Sequence, residues 1–277
     1  RNLSDAELAA MQLAEGDRVA VRGVTAWRST FPGFYQPARL TARLRIADVG
    51  RPTPACWGVR APLAEADAAA ANGTMPLYLL DTPDGFGEEV LSRNRRSDLR
   101  RCRRLVTFHT LRDSSLLDEQ GHGVFMSAVE RLGYWRPLSA TAYRARVARR
   151  MAHGSRLVVA GLIDGRLAGY LDAYAAEGTL FPEEIYLATD ALRTGIGTGL
   201  YVAILEHATV AAGIREVCNG LHTPEDPDLC RFKESLGFHV VQLPAAVRIP
   251  APIGTWIRAR RPATYYRLTG RSTGGRA

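Results

Sequence analysis

Three glycines occupy alternate positions in the segment Arg193-Thr194-Gly195-Ile196-Gly197-Thr198-Gly199-Leu200. An apolar segment precedes this run, and a helical pattern continues from it to His207. Glycines at such a junction let bare backbone amides converge on an anion at the N-terminus of a helix. The segment therefore predicts a phosphate-binding loop that suits a pyrophosphate.

Two common phosphate-binding loops do not fit this segment. A P-loop ends in Gly-Lys-Ser/Thr, whereas Leu200 follows Gly199 here, and the only lysine of the chain, Lys233, comes later. A dinucleotide-binding turn needs Gly-x-Gly-x-x-Gly and an acidic residue at the end of the next strand, but Glu216 begins that strand. What remains is the order strand, glycine loop, helix, strand, helix and Gly-Phe.

This order resembles the GNAT superfamily of acyl-CoA-dependent N-acyltransferases over roughly residues 106–245. In that superfamily an Arg/Gln-x-x-Gly-x-Gly/Ala segment binds the CoA pyrophosphate, and Gly195 and Gly197 match its glycines. Leu192 stands at the lead position, with Arg193 one residue late. The resemblance implies that CoA contacts these residues: Leu187, whose amide would face the acyl oxygen, Arg193, Thr194, Gly195, Ile196, Gly197, Thr198 and Gly199.

Two further segments resemble the FemABX-like transferases, which share the GNAT core. One is Phe232–Phe238, where Lys233 replaces the tyrosine that many GNAT members carry, and the other is the arginine-rich run Ser92–Arg104. Members of that branch take an aminoacyl group from aminoacyl-tRNA. The resemblance implies that Lys233 holds a phosphate or a carboxylate, and it leaves tRNA open as the donor.

Three residues are candidates for proton transfer. The resemblance places Glu183 and Glu184 on the strand whose acidic residues act as a base in many GNAT relatives. Because neighbours on a strand point to opposite sides, we expect only one of the two to face the reacting groups, with Glu184 preferred. His222 follows the next strand and is a second candidate base. The alternative is that all three are ordinary polar residues at strand ends.

Composition limits the classes that fit. The 277 residues are 46% apolar, but no run is long enough to span a membrane, and we expect a cytoplasmic protein without membrane partners. Four cysteines lack C-x-x-C spacing, which favours reduced thiols and no metal site. The net charge is +8, and seven arginines fall between Arg93 and Arg104. On a helix they would form a basic surface that suits phosphates or serves solubility alone.

The pattern of elements predicts an α/β fold with a mixed sheet. We place a GNAT-like domain at residues 106–245, a C-terminal extension at 246–277 and an N-terminal lobe at 1–105. That lobe is either a second, degenerate GNAT-like lobe or an extension that shapes the acceptor site. Its predicted elements include a helix that begins at a capping box, a strand over 38–47 and a helix over 63–71.

These features favour an N-acyltransferase that moves an acyl group from acetyl-CoA or another acyl-CoA to the amine of a small molecule or peptide, with acetyl as the first candidate. Direct attack of the amine on the thioester is the reaction that the resemblance implies. Two alternatives stay open. One is an aminoacyl-tRNA-dependent aminoacyl transferase, and the other is a CoA-binding protein without catalysis.

Overall fold

The computed structural model describes residues 1–81, 86–133 and 136–272. Its helices, in chain order, are α1 (Asp5–Glu15), α2 (Arg93–Leu105), α3 (His122–Leu132), α4 (Ala140–Met151), α5 (Ile196–Val210), α6 (Pro227–Ser235), α7 (Ala251–Arg260) and α8 (Pro262–Thr269). Its strands are β1 (Asn2–Leu3), β2 (Val19–Arg22), β3 (Thr25–Phe31), β4 (Phe34–Pro37), β5 (Gly58–Pro62), β6 (Gly73–Asp81), β7 (Thr107–Leu111), β8 (Arg156–Ile163), β9 (Arg166–Ala176), β10 (Thr179–Leu187), β11 (Glu216–Leu221) and β12 (His239–Arg248). The α/β class predicted from the sequence is confirmed.

The chain forms two compact units from segments that alternate along the sequence. Unit 1 contains Arg1–Leu3, Leu80–Val217 and Ser235–Gly237. Unit 2 contains Ser4–Leu79, Cys218–Glu234 and Phe238–Ala277. The consecutive domains expected at 1–105, 106–245 and 246–277 stay a prediction, as does the degenerate lobe.

Unit 1 is built on the antiparallel strands β7, β8, β9 and β10. Helices α3 and α4 cover one face, where Phe125, Tyr143 and Tyr170 lie in a buried apolar cluster. Helix α5 packs on the opposite face, where Ile196 lies against Gly161 and Gly169. A tight hairpin joins β8 to β9 at the Asp164-Gly165 pair, where both residues have positive φ, as such a turn requires.

Unit 2 contains the strand order β2-β3-β4-β5-β12-β6, in which β4 and β5 are parallel and the other pairs antiparallel. One apolar cluster surrounds Trp27, and another joins Phe34 to α7 and α8 through Ile257 and Leu268. The predicted start of α1 is confirmed: Ser4 and Glu7 form a capping box.

Two predicted elements of this region are wrong. Residues 38–47 form turns and a single isolated bridge at Leu44, because alanine is a weak strand former and β4 ends at Pro37. The helix expected over 63–71 is a 3₁₀ turn at Glu65–Ala70, and Leu63 is a buried residue of the Trp27 cluster.

Candidate functional site

The predicted phosphate-binding loop lies in unit 1, where a 3₁₀ turn at Leu192–Thr194 leads into α5. Gly195 joins them in the left-handed conformation, with φ of 83°. The amides of Ile196, Gly197 and Thr198 lie in the first turn of α5, where backbone amides have no carbonyl partner within the helix itself. The helix dipole adds partial positive charge at this end. The local geometry thus has donors suited to an anion.

Helix α2 places arginines beside this helix end. The Arg95 Nη1 atom donates to Thr198 Oγ1 at 3.2 Å, and Arg101 Nη1 donates to the Arg193 carbonyl at 2.7 Å. Asp98 pairs with Arg95 at 2.9 Å and partly offsets the charge. Arg193 is exposed. The arginine-rich segment and the glycine loop, which are far apart in sequence, therefore lie in contact.

Packing explains two of the three glycines without any ligand. A Cβ atom on Gly195 would lie 2.5 Å from the Asp98 carbonyl oxygen of α2. A Cβ atom on Gly199 would lie 2.5 Å from Phe108 and 2.6 Å from the Cys102 sulfur. These glycines allow α2 and β7 to approach α5. The glycines at 195 and 199 therefore need no bound anion to explain them.

The other predicted contacts of the loop divide between backbone and side chain. Ile196 and Thr198 are buried as whole residues, amides included, so Gly197, which is half-buried, is the most accessible residue at the start of α5. The Thr194 hydroxyl donates to the Ala191 carbonyl at 2.7 Å, and the Thr198 hydroxyl is bonded to Arg95.

Leu187 ends β10 with its backbone turned away from β9. Ala188 N donates to Ala168 O at 2.9 Å, and antiparallel pairs alternate, so the Leu187 N–H and C=O point to the other side of β10. On that side, within the described residues, β10 pairs with β11 only at Thr179 and Leu180. Arg131 of α3 donates to the Leu187 carbonyl at 2.9 Å. The Leu187 amide therefore points away from β9, and its contact with an acyl oxygen stays a prediction.

A cluster of three arginines and three carboxylates joins α4 to β8, β9 and β10. Arg150 is its centre, at 2.8 Å from both Asp172 and Glu183 and 3.7 Å from Glu184. The remaining arginines complete it: Arg156 contacts Glu183 at 2.7 Å and Asp172 at 3.5 Å, and Arg146 binds Glu184. We call these six residues the ionic cluster. Burial raises the pKa of Asp172 against the opposing pull of Arg150 and Arg156.

The expectation that Glu183 and Glu184 point to opposite sides is wrong. Both carboxylates reach Arg150 because the register between β9 and β10 shifts between Pro182 and Glu184. A bulge places consecutive residues on one side and breaks the alternation of the strand. Glu184 also accepts a hydrogen bond from Tyr186 at 3.0 Å, and its own amide donates to Asp172 at 3.2 Å.

Three tyrosines lie beside the ionic cluster. The Tyr143 and Tyr170 hydroxyls are 2.8 Å apart, and Tyr186 bonds Glu184 and Arg146. Burial raises the pKa of Tyr143 to about 12. This group was not predicted from the sequence, although Tyr143, Arg146 and Arg150 occur at helical spacing on one face of α4.

Unit 2 contains a separate polar group around His222 and Lys233. The Lys233 ammonium donates to the Asn219 carbonyl at 2.6 Å and lies 5.0 Å from the centre of the Tyr78 ring. His222 Nδ1 is 2.7 Å from the Tyr266 hydroxyl, and burial lowers the pKa of His222. Lys233 is only 7% exposed, so a phosphate or carboxylate would have to enter the interior of unit 2 to make the predicted contact with it.

We expect the wild type to gain stability relative to Lys233→Met as the pH rises from about 8 to 10.5. Burial lowers the pKa of Lys233 from 10.5 to about 8. In that window the unfolded chain binds more protons than the folded one, so the free energy of unfolding increases with pH. The gain is on the order of 3 kcal/mol. Urea unfolding of both proteins across this range measures it, and a constant difference would show that Lys233 stays charged.

Other classes of site are not evident in the described parts of the chain. No group of three or more His, Cys, Asp or Glu residues is arranged to hold a metal ion there. The four cysteines are free and buried. Within the same ranges, every helix is too short or too polar to cross a bilayer.

Comparison with known proteins supports the fold and gives no match in sequence. No protein-family model matches the chain, and a search of curated proteins finds no match. FemX aligns over 93% of this chain and 99% of its own, with a TM-score of 0.62 and 9% identity. The C-terminal domain of a protein assigned as a lysylphosphatidylglycerol synthetase from Agrobacterium fabrum aligns over 96% and 98%, with a TM-score of 0.59 and 14% identity. L-PGS from Bacillus licheniformis aligns over 98% and 99%, with a TM-score of 0.56 and 12% identity. The chain has an α/β GNAT-like fold.

Proposed function

We propose that the protein is an N-acyltransferase that moves an acyl group, acetyl first among the candidates, from acyl-CoA to the amine of a small molecule or peptide. The observation that carries this proposal is the start of α5, where the first helical turn lies beside arginines of α2 in unit 1. In the same unit the Leu187 amide lies on the side of β10 away from β9. These groups suit a diphosphate and an acyl carbonyl.

The chemistry needs one bond to form and one to break. The amine nitrogen attacks the thioester carbonyl, and the carbon–sulfur bond breaks. The nitrogen loses a proton in this reaction, and the departing thiolate takes one up. The Leu187 amide would stabilise the negative charge on the carbonyl oxygen. The α5 amides, with Arg95 and Arg193, would hold the CoA diphosphate and fix the position of the thioester.

Glu184 is the carboxylate of the ionic cluster that we propose for proton transfer. Its side chain is 23% exposed, against 16% for Glu183 and 7% for Asp172. Glu183 lies between Arg150 and Arg156 and is better suited to holding β10 in place. His222 in unit 2 remains a candidate base, because burial lowers its pKa and favours the neutral ring.

A second candidate is an aminoacyl transferase that takes its group from aminoacyl-tRNA. Two observations favour it. Structures that match over nearly the whole chain include FemX, L-PGS and the C-terminal domain of a protein assigned as a lysylphosphatidylglycerol synthetase. In addition, Arg93, Arg100 and Arg104 are exposed at helical spacing on α2 and form a basic surface. The packing role of Gly195 and Gly199 also weakens the glycine loop as an argument for CoA.

Titration calorimetry with acetyl-CoA and free CoA tests the first candidate. We expect micromolar binding by the wild type and at least a tenfold loss in Gly197→Trp, because the indole would fill the space at the second residue of α5. Gly123→Trp is the matched control, since Gly123 is the second residue of α3 and faces open space. Equal melting temperatures of the two variants exclude a folding defect.

Acylated and deacylated tRNA in the same assay test the second candidate. Absence of CoA binding together with preference for aminoacylated tRNA would overturn acyl-CoA as the donor. Tight CoA binding without turnover of any amine in a broad panel would instead support a CoA-binding protein without catalysis.

A further inference from the structure

Arg60 is a fully buried cation in unit 2. It lies on β5, opposite Val247 of β12. On its other side, β4 and β5 pair Tyr35 with Val59, so the next residues along these strands are Gln36 and Arg60. The exposure of the Arg60 side chain is 0%.

The guanidinium group has no hydrogen-bond partner in the described chain. All three nitrogen atoms, Nε, Nη1 and Nη2, are buried and unbonded. The Gln36 amide oxygen is buried and unbonded as well. Buried polar groups are nearly always bonded in folded proteins, and a guanidinium has five donors to satisfy. An arginine left in this state therefore indicates a missing partner.

Among the described residues, no carboxylate compensates the positive charge of Arg60. The titratable neighbour that acts on Arg60 is the Tyr266 phenol of α8. Burial lowers the pKa of Arg60 to about 9, so the group still carries its charge at neutral pH. Tyr266 is already bonded to His222 at 2.7 Å. A buried, uncompensated cation is strongly unfavourable, and an anion would remove that cost.

We propose that unit 2 binds a small carboxylate anion against the Arg60 guanidinium. The planar fork of an arginine matches a carboxylate with two parallel hydrogen bonds. A single positive charge suits a monoanion better than a phosphate dianion, whose second charge would be left buried without a partner. This site lies outside the residues assigned to the transferase reaction and does not depend on that function.

Thermal unfolding with sodium formate, exchanged for sodium chloride at constant ionic strength, tests the site. We expect a saturable rise of about 2–4 °C in the wild type, because an anion that binds only the folded state stabilises it. Arg60→Met should show no rise, and it should fold, since an apolar side chain of similar length removes the uncompensated charge. Arg258→Met, which changes an exposed arginine of α7, should respond to formate as the wild type does.

Arg60→Lys provides a second variant that keeps the charge and loses the fork. We expect its response to saturate at a formate concentration about tenfold higher, since a single ammonium cannot bind both oxygens in parallel. An unchanged wild type, or equal shifts in the wild type and Arg60→Met, would overturn the site.

The carboxylate that binds Arg60 has two possible sources, a free small anion or the carboxylate end of a larger molecule, and N-acetylglycine distinguishes them. If formate and acetate act and N-acetylglycine does not, the partner of Arg60 is a free small anion. If N-acetylglycine acts at the same or lower concentration, the site takes the carboxylate end of a larger molecule. Both results support a carboxylate at Arg60.

Discussion

Arg150→Met is expected to lower the free energy of unfolding by about 3–5 kcal/mol. Arg150 contacts all three carboxylates of the ionic cluster, and its side chain is only 13% exposed. Its removal leaves three buried or half-buried negative charges facing two arginines. The Asp172 side chain is only 7% exposed, so little solvent can replace its lost partner. Urea unfolding at pH 7 measures the loss.

Arg149→Met is the matched control for this prediction. Arg149 is the preceding residue of α4, carries the same charge and is exposed. We expect its effect to stay within about 0.5 kcal/mol, as for most surface substitutions. If the two variants lose the same small amount, the cluster does not contribute to folding as its contacts indicate.

The ionic cluster also links stability to the proposed chemistry. The amide of Glu184 bonds Asp172, and both side chains contact Arg150, so the cluster helps to hold the bulge in β10 in place. Leu187 lies three residues further along the same strand. The position of its amide therefore depends on charges that are distant in sequence.

Local sequence patterns were sufficient to predict much of the fold. The Ser4 capping box, the Asp164-Gly165 hairpin and the glycine loop before α5 each depend on residues close together in the chain. Helical spacing likewise puts Leu99 and Cys102 on one face of α2, and both are buried. Such signals are local because backbone conformation and helix faces are set within a few residues.

The site could be predicted only in part, because its contacts join distant segments. Alternation along a strand misplaced Glu183 and Glu184, since a bulge depends on the partner strand. Arg146, Arg150 and Arg156 appear in sequence as part of a general excess of arginine, and only the fold shows which are buried. Arg60 carried no local signal at all, because its burial results from strands and helices far from it in sequence.

The glycine loop shows how one pattern can have two physical causes. Alternating glycines at a helix start satisfy the needs of an anion, and they equally allow a second helix to approach. The distances at Gly195 and Gly199 show that close packing operates here. Ligand binding to the same amides is compatible with that packing, because the amides and the missing Cβ atoms point in different directions.

Gly195→Ala separates the packing role from backbone strain and is expected to cost about 2–4 kcal/mol of unfolding free energy. Part of that cost comes from φ of 83°, and the larger part from the Asp98 carbonyl at 2.5 Å, which is backbone and cannot turn aside. Gly165→Ala is the matched control: its φ is 76° and nothing lies within 4 Å, so strain alone, about 1 kcal/mol, should remain. Urea unfolding of both variants gives the difference. Equal losses would mean that α2 yields freely at Asp98, and the glycine at 195 would then be required by its backbone conformation alone.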